Sequence, residues 1–107
     1  PQEPPITRVQ NHVLANLEQS FTVESMAALV DMSARHFARL FAKDVQMTPM
    51  AFLQGARIDR ARHLLETTEL PLKTVAFHAG FGSVRHMRFL FSEKLGLTPT
   101  QYRQQFS

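Results

Sequence analysis

The 107-residue chain contains no cysteine, no tryptophan, a single tyrosine and only four glycines. Without cysteine there is no disulfide framework and no thiolate metal site, and a reducing cytoplasm is the expected location. No apolar run approaches the roughly 20 residues that a membrane-crossing helix needs, and no basic start leads into an apolar stretch of the secretory kind, so no membrane partner is expected. Acid is missing locally: residues 33–43 carry Arg35, Arg39 and Lys43 without an Asp or Glu, and residues 70–92 carry Lys73, Arg85 and Arg88 without one. A net charge of +3 distributed this unevenly points to one polyanion-facing side rather than to a uniformly sticky surface. Paired carboxylates, a nucleophile beside a base and a glycine-rich phosphate loop are also absent at any useful spacing, so no catalytic residue is expected and the chain does not read as an enzyme. His36, His63, His78 and His86 fall on different expected helices and recur with the fold rather than at ligand spacing; neither a metal nor any other cofactor is expected.

What remains is a chain short enough for one domain, or for two very small subdomains sharing a linker, with an apolar fraction of 44% to build a core. It opens with Pro1 rather than Met and stops at Ser107 without a tail, which points to a piece of something longer. Apolar residues recur at three and four throughout and no alternating β-branched stretch competes, so the expected fold class is all-α with about seven helices. A first helix is expected from about Ile6 to Glu18, burying Ile6, Val9, Val13 and Leu17. Thr22 caps a second helix reaching about Val30, and Ser33 caps a third. Thr48-Pro49 places a capping hydroxyl before a proline at the first helical position and starts a long helix to about Thr67, roughly 28 Å at ~1.5 Å per residue. Its inward side is read as Met50, Gln54, Arg57, Ile58, Ala61, Leu64 and Leu65, with Arg57 expected to tie helices together rather than to reach outward.

After Leu70-Pro71 the pattern begins again, with a helix over Leu72 to Ala79, a turn at Gly80-Phe81-Gly82, a helix capped by Ser83 and a second Thr-Pro at Thr98-Pro99. Counting 50 residues on, Ser33, Arg35, His36, Leu40, Phe41, Thr48 and Pro49 meet Ser83, Arg85, His86, Leu90, Phe91, Thr98 and Pro99. Ala27 meets Ala76 one residue earlier in register. One supersecondary unit is therefore used twice, with a long helix between the copies. The expected organisation is a first helix-turn-helix subdomain over residues 1–47, a linker helix over 48–68 and a second helix-turn-helix subdomain over 69–107.

Each copy has a short helix, a tight turn and a second helix, with an alanine that permits close crossing. On the helix after Ser33, burying Phe37, Leu40 and Phe41 turns Arg35 and Arg39 outward beside small alanines, a face that suits a major groove about 12 Å wide. On the helix after Ser83, Met87, Leu90 and Phe91 face inward, leaving Arg85, Phe89 and Ser92 outward with Val84 and Arg88 on the flanks. Phe89 is out of place on a solvated face: it either meets thymine methyls, packs on neighbouring protein, or is buried by a tilt of its helix. Helices ~34 Å apart would enter successive major-groove segments of double-stranded DNA. Lys43, Lys73, Lys94 and the helix starts near Thr22, Thr48, Leu72 and Thr98 are candidate phosphate contacts. The alternative is a helical protein-interaction module whose basic faces meet an acidic partner.

The stretches SARHFARLFAKDVQMTP, ARIDRARHLLETTELPLKTVAFHAGFGS and LFSEKLGLTPTQYR resemble the AraC/XylS family of bacterial regulators across essentially the whole chain. The resemblance implies two helix-turn-helix subdomains bridged by a helix, and promoter binding with activation or repression. Carried over by position, base reading falls on Ala34, Arg35, Ala38 and Arg39 in the first copy and on Val84, Arg85, Arg88 and Phe89 in the second. Two departures stand out: Phe89 replaces a common arginine, and Gln46 replaces a common glycine. RHFARLF, GFGSVRHMRF and LGLTPTQYRQQF are most similar to members with an amino-terminal domain like class I glutamine amidotransferases, which implies an absent sensing or dimerisation domain; contact with RNA polymerase is a further implication.

Overall fold

Helices in this protein begin where the sequence supplies an oxygen or a proline. The computed structural model describes residues 3–107, and among them it has seven helices and no strand: α1 (Pro5–Ala15), α2 (Val23–Ala28), α3 (Ala34–Val45), α4 (Pro49–Thr67), α5 (Leu72–Ala79), α6 (Val84–Leu95) and α7 (Pro99–Phe106). The Thr22 hydroxyl accepts from the Ser25 amide at 3.0 Å while the Ser25 hydroxyl oxygen accepts from the Thr22 amide at 2.9 Å, a reciprocal box that satisfies two orphan donors. Thr98 and Gln101 form the same box at 3.1 and 2.9 Å. Ser33, Thr48 and Ser83 each accept an amide three residues on, at 3.2, 3.1 and 3.0 Å. Helices α1 and α5 start on proline alone, with no side-chain cap at Pro4 or Pro71.

Helix ends depart more from the sequence reading. Helix α1 stops at Ala15 rather than near Glu18, because the Asn16 side-chain amide donates to the His12 carbonyl at 2.8 Å and the backbone leaves the helix there. Leu17 is buried all the same.

By packing, the chain divides into two units, one ending at Gln54 and the other spanning Gly55–Ser107. In the first, α1 and α2 lie against α3. Its core holds Ile6, Val9, Val13, Leu17, Met26, Ala27, Val30, Phe37, Phe41 and Leu53. In the second, α5 and α7 lie against α6, around Ile58, Ala61, Leu65, Val75, Ala76, Ala79, Phe81, Met87, Leu90, Phe91 and Tyr102. The long helix therefore contributes Leu53 to one core and Ile58, Ala61 and Leu65 to the other. No single stripe describes such a helix, and the inward side read from its sequence omits Leu53 for that reason.

The repeat extends to backbone and ring geometry. Phe41 meets Phe52 with ring centroids 5.6 Å apart, and fifty residues on Phe91 meets Tyr102 at 5.3 Å, both edge-on. The Tyr102 hydroxyl adds what a phenylalanine lacks: it donates to the Glu66 carboxylate and accepts from Arg62 Nε at 3.1 Å, raising the Arg62 pKa above its ordinary value. Left-handed backbone also recurs in register. Asp31 (φ 57°) stands where the second copy has Gly80 (φ 92°), and Gln46 (φ 67°) where it has Gly96 (φ 73°). Both helix-ending residues donate to the carbonyl four back, Gln46 to Ala42 and Gly96 to Ser92.

The second copy thus has glycine at both left-handed corners and the first at neither, although a side chain there costs about 1 kcal/mol. Gln46→Gly is expected to stabilise the chain by about that amount. Gly96→Ala should destabilise it similarly through the backbone alone, since a Cβ at Gly96 meets nothing within 4 Å. Urea denaturation measures both; a Gln46→Gly variant no more stable than the parent would mean that the bond from Gln46 Nε2 to the Lys43 carbonyl, at 3.0 Å, offsets the strain.

Candidate nucleic-acid interface

The turn between the short helices is built on a buried alanine in each unit. Ala27 is 1% exposed and its carbonyl accepts from the amides of Val30 and Met32, both at 3.1 Å. Ala76 is 2% exposed and its carbonyl accepts from Gly80 and, at 2.8 Å, from Phe81. The amide five residues on reaches back over the left-handed residue, which closes the end of the first helix and aims the chain into the second. The missing bulk at alanine lets the helices cross closely.

This crossing fixes which face of α3 and α6 is available. At ~100° per residue, Arg35, Ala38, Arg39 and Ala42 lie within about 100° of arc on α3, with Ala34 at its edge. Phe37 and Phe41 take the opposite side and are fully buried. On α6, Arg85, Arg88, Phe89 and Ser92 occupy the same arc, with Val84 at its edge, opposite buried Met87, Leu90 and Phe91. Arg35, Arg39, Arg85, Arg88 and Phe89 are exposed, whereas Ala34, Ala38 and Val84 are partly covered. Phe89, at 62% exposure, is not buried by any tilt of its helix. Arg62 pairs with Asp59 at 3.4 Å, and the four outward arginines take no part in that pair.

Lys43, Lys73 and Lys94 are exposed, the first and last in the final turns of α3 and α6. Thr22 and Thr48 are exposed and Thr98 partly covered, each hydroxyl accepting the amide three residues on. Arg57 is half-buried, and desolvation lowers its pKa. His36, His63 and His86 are exposed on separate helices, and among the described residues no group of three or more His, Cys, Asp or Glu side chains is placed to hold a metal ion. No helix of the described residues is long and apolar enough to cross a membrane.

Arg85, Arg88, Phe89, Ser92, Glu93 and Thr98 line one open groove on the outward side of the second unit. Glu93 was not among the residues singled out from sequence. Its signal lay in the repeat, where the matching residue of the first copy is Lys43, a reversal of charge. Chemically, an arginine on such a face offers a two-pronged donor that matches guanine O6 and N7, and the small residues beside it allow close approach to base edges.

Comparison with known proteins bears on this geometry. A family model described as a helix-turn-helix domain matches residues 26–105. The DNA-binding domain of AdpA, the global transcriptional factor, solved in complex with a target DNA, superposes with a TM-score of 0.93 at 34% identity, over 97% of this chain and 94% of that one. The chain belongs to the AraC-type helix-turn-helix family. The AraC-type domain is 35% identical over 98 residues to the uncharacterised HTH-type transcriptional regulator YfiF of Bacillus subtilis, covering 92% of this chain and 31% of that protein. It is 33% identical over 98 residues to the HTH-type transcriptional activator RhaS of Klebsiella pneumoniae, covering 88% of this chain and 35% of that protein. The domain therefore spans about a third of the length of these curated relatives.

Caps and outward residues of this AraC-type domain should separate cleanly in mutagenesis. Ser33→Ala and Ser83→Ala are each expected to lower unfolding free energy by about 1 kcal/mol through loss of the cap. Arg35→Ala and Arg85→Ala should stay within about 0.5 kcal/mol of the parent, because these side chains support nothing in the fold. Thermal and urea melts of the four variants test the separation.

Proposed function

We propose that this domain is the sequence-specific DNA-binding part of a bacterial transcription regulator, and that α3 and α6 are its two recognition helices, entering successive major-groove segments of a promoter. The observation that carries the reading is the recurrence, in two copies of one scaffold, of an outward arginine face opposite a closed core. The similarity to a domain solved on its target DNA supports the same reading. Base reading is assigned to Ala34, Arg35, Ala38 and Arg39 of the first unit and to Val84, Arg85, Arg88 and Phe89 of the second. Thr22, Lys43, Thr48, Lys73, Lys94 and Thr98 are assigned to phosphates, where they set register and salt dependence but carry no sequence information.

A cytoplasmic location follows from this role. In the full-length protein, a companion domain that senses a small molecule or dimerises the regulator, and a contact with RNA polymerase, complete the proposal; the resemblance to regulators with a glutamine amidotransferase-like amino-terminal half supports the first. The mass of the native protein tests it, since a product of about the 12.2 kDa of this chain leaves no room for such a domain.

Binding to duplex DNA should weaken steeply with salt. Arg35→Ala and Arg39→Ala are each expected to lower affinity by about 1–3 kcal/mol and to relax preference at one base pair, whereas Lys43→Ala should weaken all sequences alike and reduce the salt slope by about one. Titrations at several salt concentrations, with footprinting for two protected groove segments, make the test. Absence of binding to genomic fragments at low salt would instead favour a protein-interaction module with an acidic partner.

A further inference from the structure

Within one scaffold used twice, the sharpest chemical difference falls at a single outward position. Arg39 of α3 and Phe89 of α6 are fifty residues apart and occupy the same place on their helices, one turn beyond Arg35 and Arg85 respectively. The core does not require Phe89: the buried side of α6 is complete with Met87, Leu90 and Phe91, and the Phe89 ring stands 62% exposed on the arginine-bearing face. A single exposed apolar residue is ordinary. One that shares a groove with two guanidinium groups, on the face that its own repeat devotes to arginine, asks for a ligand that is both anionic and locally apolar.

The groove narrows the choice. Arg85 and Arg88 supply attraction for a polyanion, which argues against a purely apolar partner. Glu93 lines the same groove, and a carboxylate repels phosphate, so with Thr98 as the groove residue assigned to phosphate, the outward face of α6 suits base edges. A phenyl ring neither donates nor accepts a conventional hydrogen bond. The apolar feature that a base pair offers in the major groove is the C5-methyl of thymine. Resting on the reading of α6 as a recognition helix, we propose that Phe89 makes the second unit a thymine reader, its ring meeting a thymine methyl where Arg39 of the first unit offers a guanidinium suited to guanine. The two units then read by different chemistries, one by charge-assisted hydrogen bonds and one by apolar contact, and the Phe89 contact distinguishes DNA from an RNA that carries uracil.

The test changes the DNA before it changes the protein. Preferred sites are selected from a random duplex pool, and each thymine of the selected site is replaced singly by deoxyuracil, which removes the methyl and keeps the pairing. At one thymine the parent should lose about four-fold in affinity, the value of one buried methyl. Phe89→Ala should bind the thymine and uracil forms equally, and Phe89→Arg should shift selection at that position toward guanine. Circular dichroism and melting of Phe89→Ala should match the parent, as its side chain lies outside the core. Tight duplex binding with no uracil-sensitive thymine, or a Phe89→Ala variant that keeps the full difference, overturns the assignment to Phe89 and leaves the regulator reading intact. Failure of the parent to bind any duplex overturns that reading itself, and this one with it.

Discussion

The corner between the helices of each hook is held by a backbone hydrogen bond that crosses a left-handed residue, from Met32 to Ala27 in one copy and from Phe81 to Ala76 in the other. Its acceptor belongs to a buried alanine, so one residue both anchors the turn and provides the clearance for the next helix. A larger side chain at that place would push the helices apart and move the turn at once, since a packed interior has no slack to absorb the volume. With the corner set, the azimuth of α3 and α6 follows, and with it the division between phenylalanines that face the core and arginines that face out.

Much of this was legible in the sequence because caps are local. Thr22, Ser33, Thr48, Ser83 and Thr98 each stand where the structure begins a helix, as hydroxyls that accept an amide three residues on. Helix ends were harder. Nothing in the apolar period marks Asn16 as the stop of α1, because the interaction responsible is a side-chain bond back into the helix and not a change of pattern. Leu53 escaped for a different reason: α4 serves two cores, and a periodicity summed along it blurs both. The Tyr102–Glu66–Arg62 network joins residues about forty positions apart and leaves no local trace.

For the candidate interface, the helical period alone placed Arg35, Arg39 and Arg85 outward and Arg88 on the flank, and all four are exposed. Phe89 is the informative case. Periodicity and hydrophobicity argued in opposite directions there, and only three-dimensional packing decides between them; a complete core beneath α6 leaves the ring outside. Glu93 entered through the groove it shares with Phe89, a proximity that sequence spacing states but does not weigh.

The two copies differ in opposite senses at different places: the first has no corner glycine and an arginine pair one turn apart, while the second has the glycines and only one of that pair. Such differences are possible because, along α3 and α6, the residues that hold the fold and those that face outward form separate sets. Surface chemistry can then be rewritten at single positions with the scaffold left alone, so new binding preferences are within reach of one substitution at a time, and a duplicated hook can explore two of them in parallel.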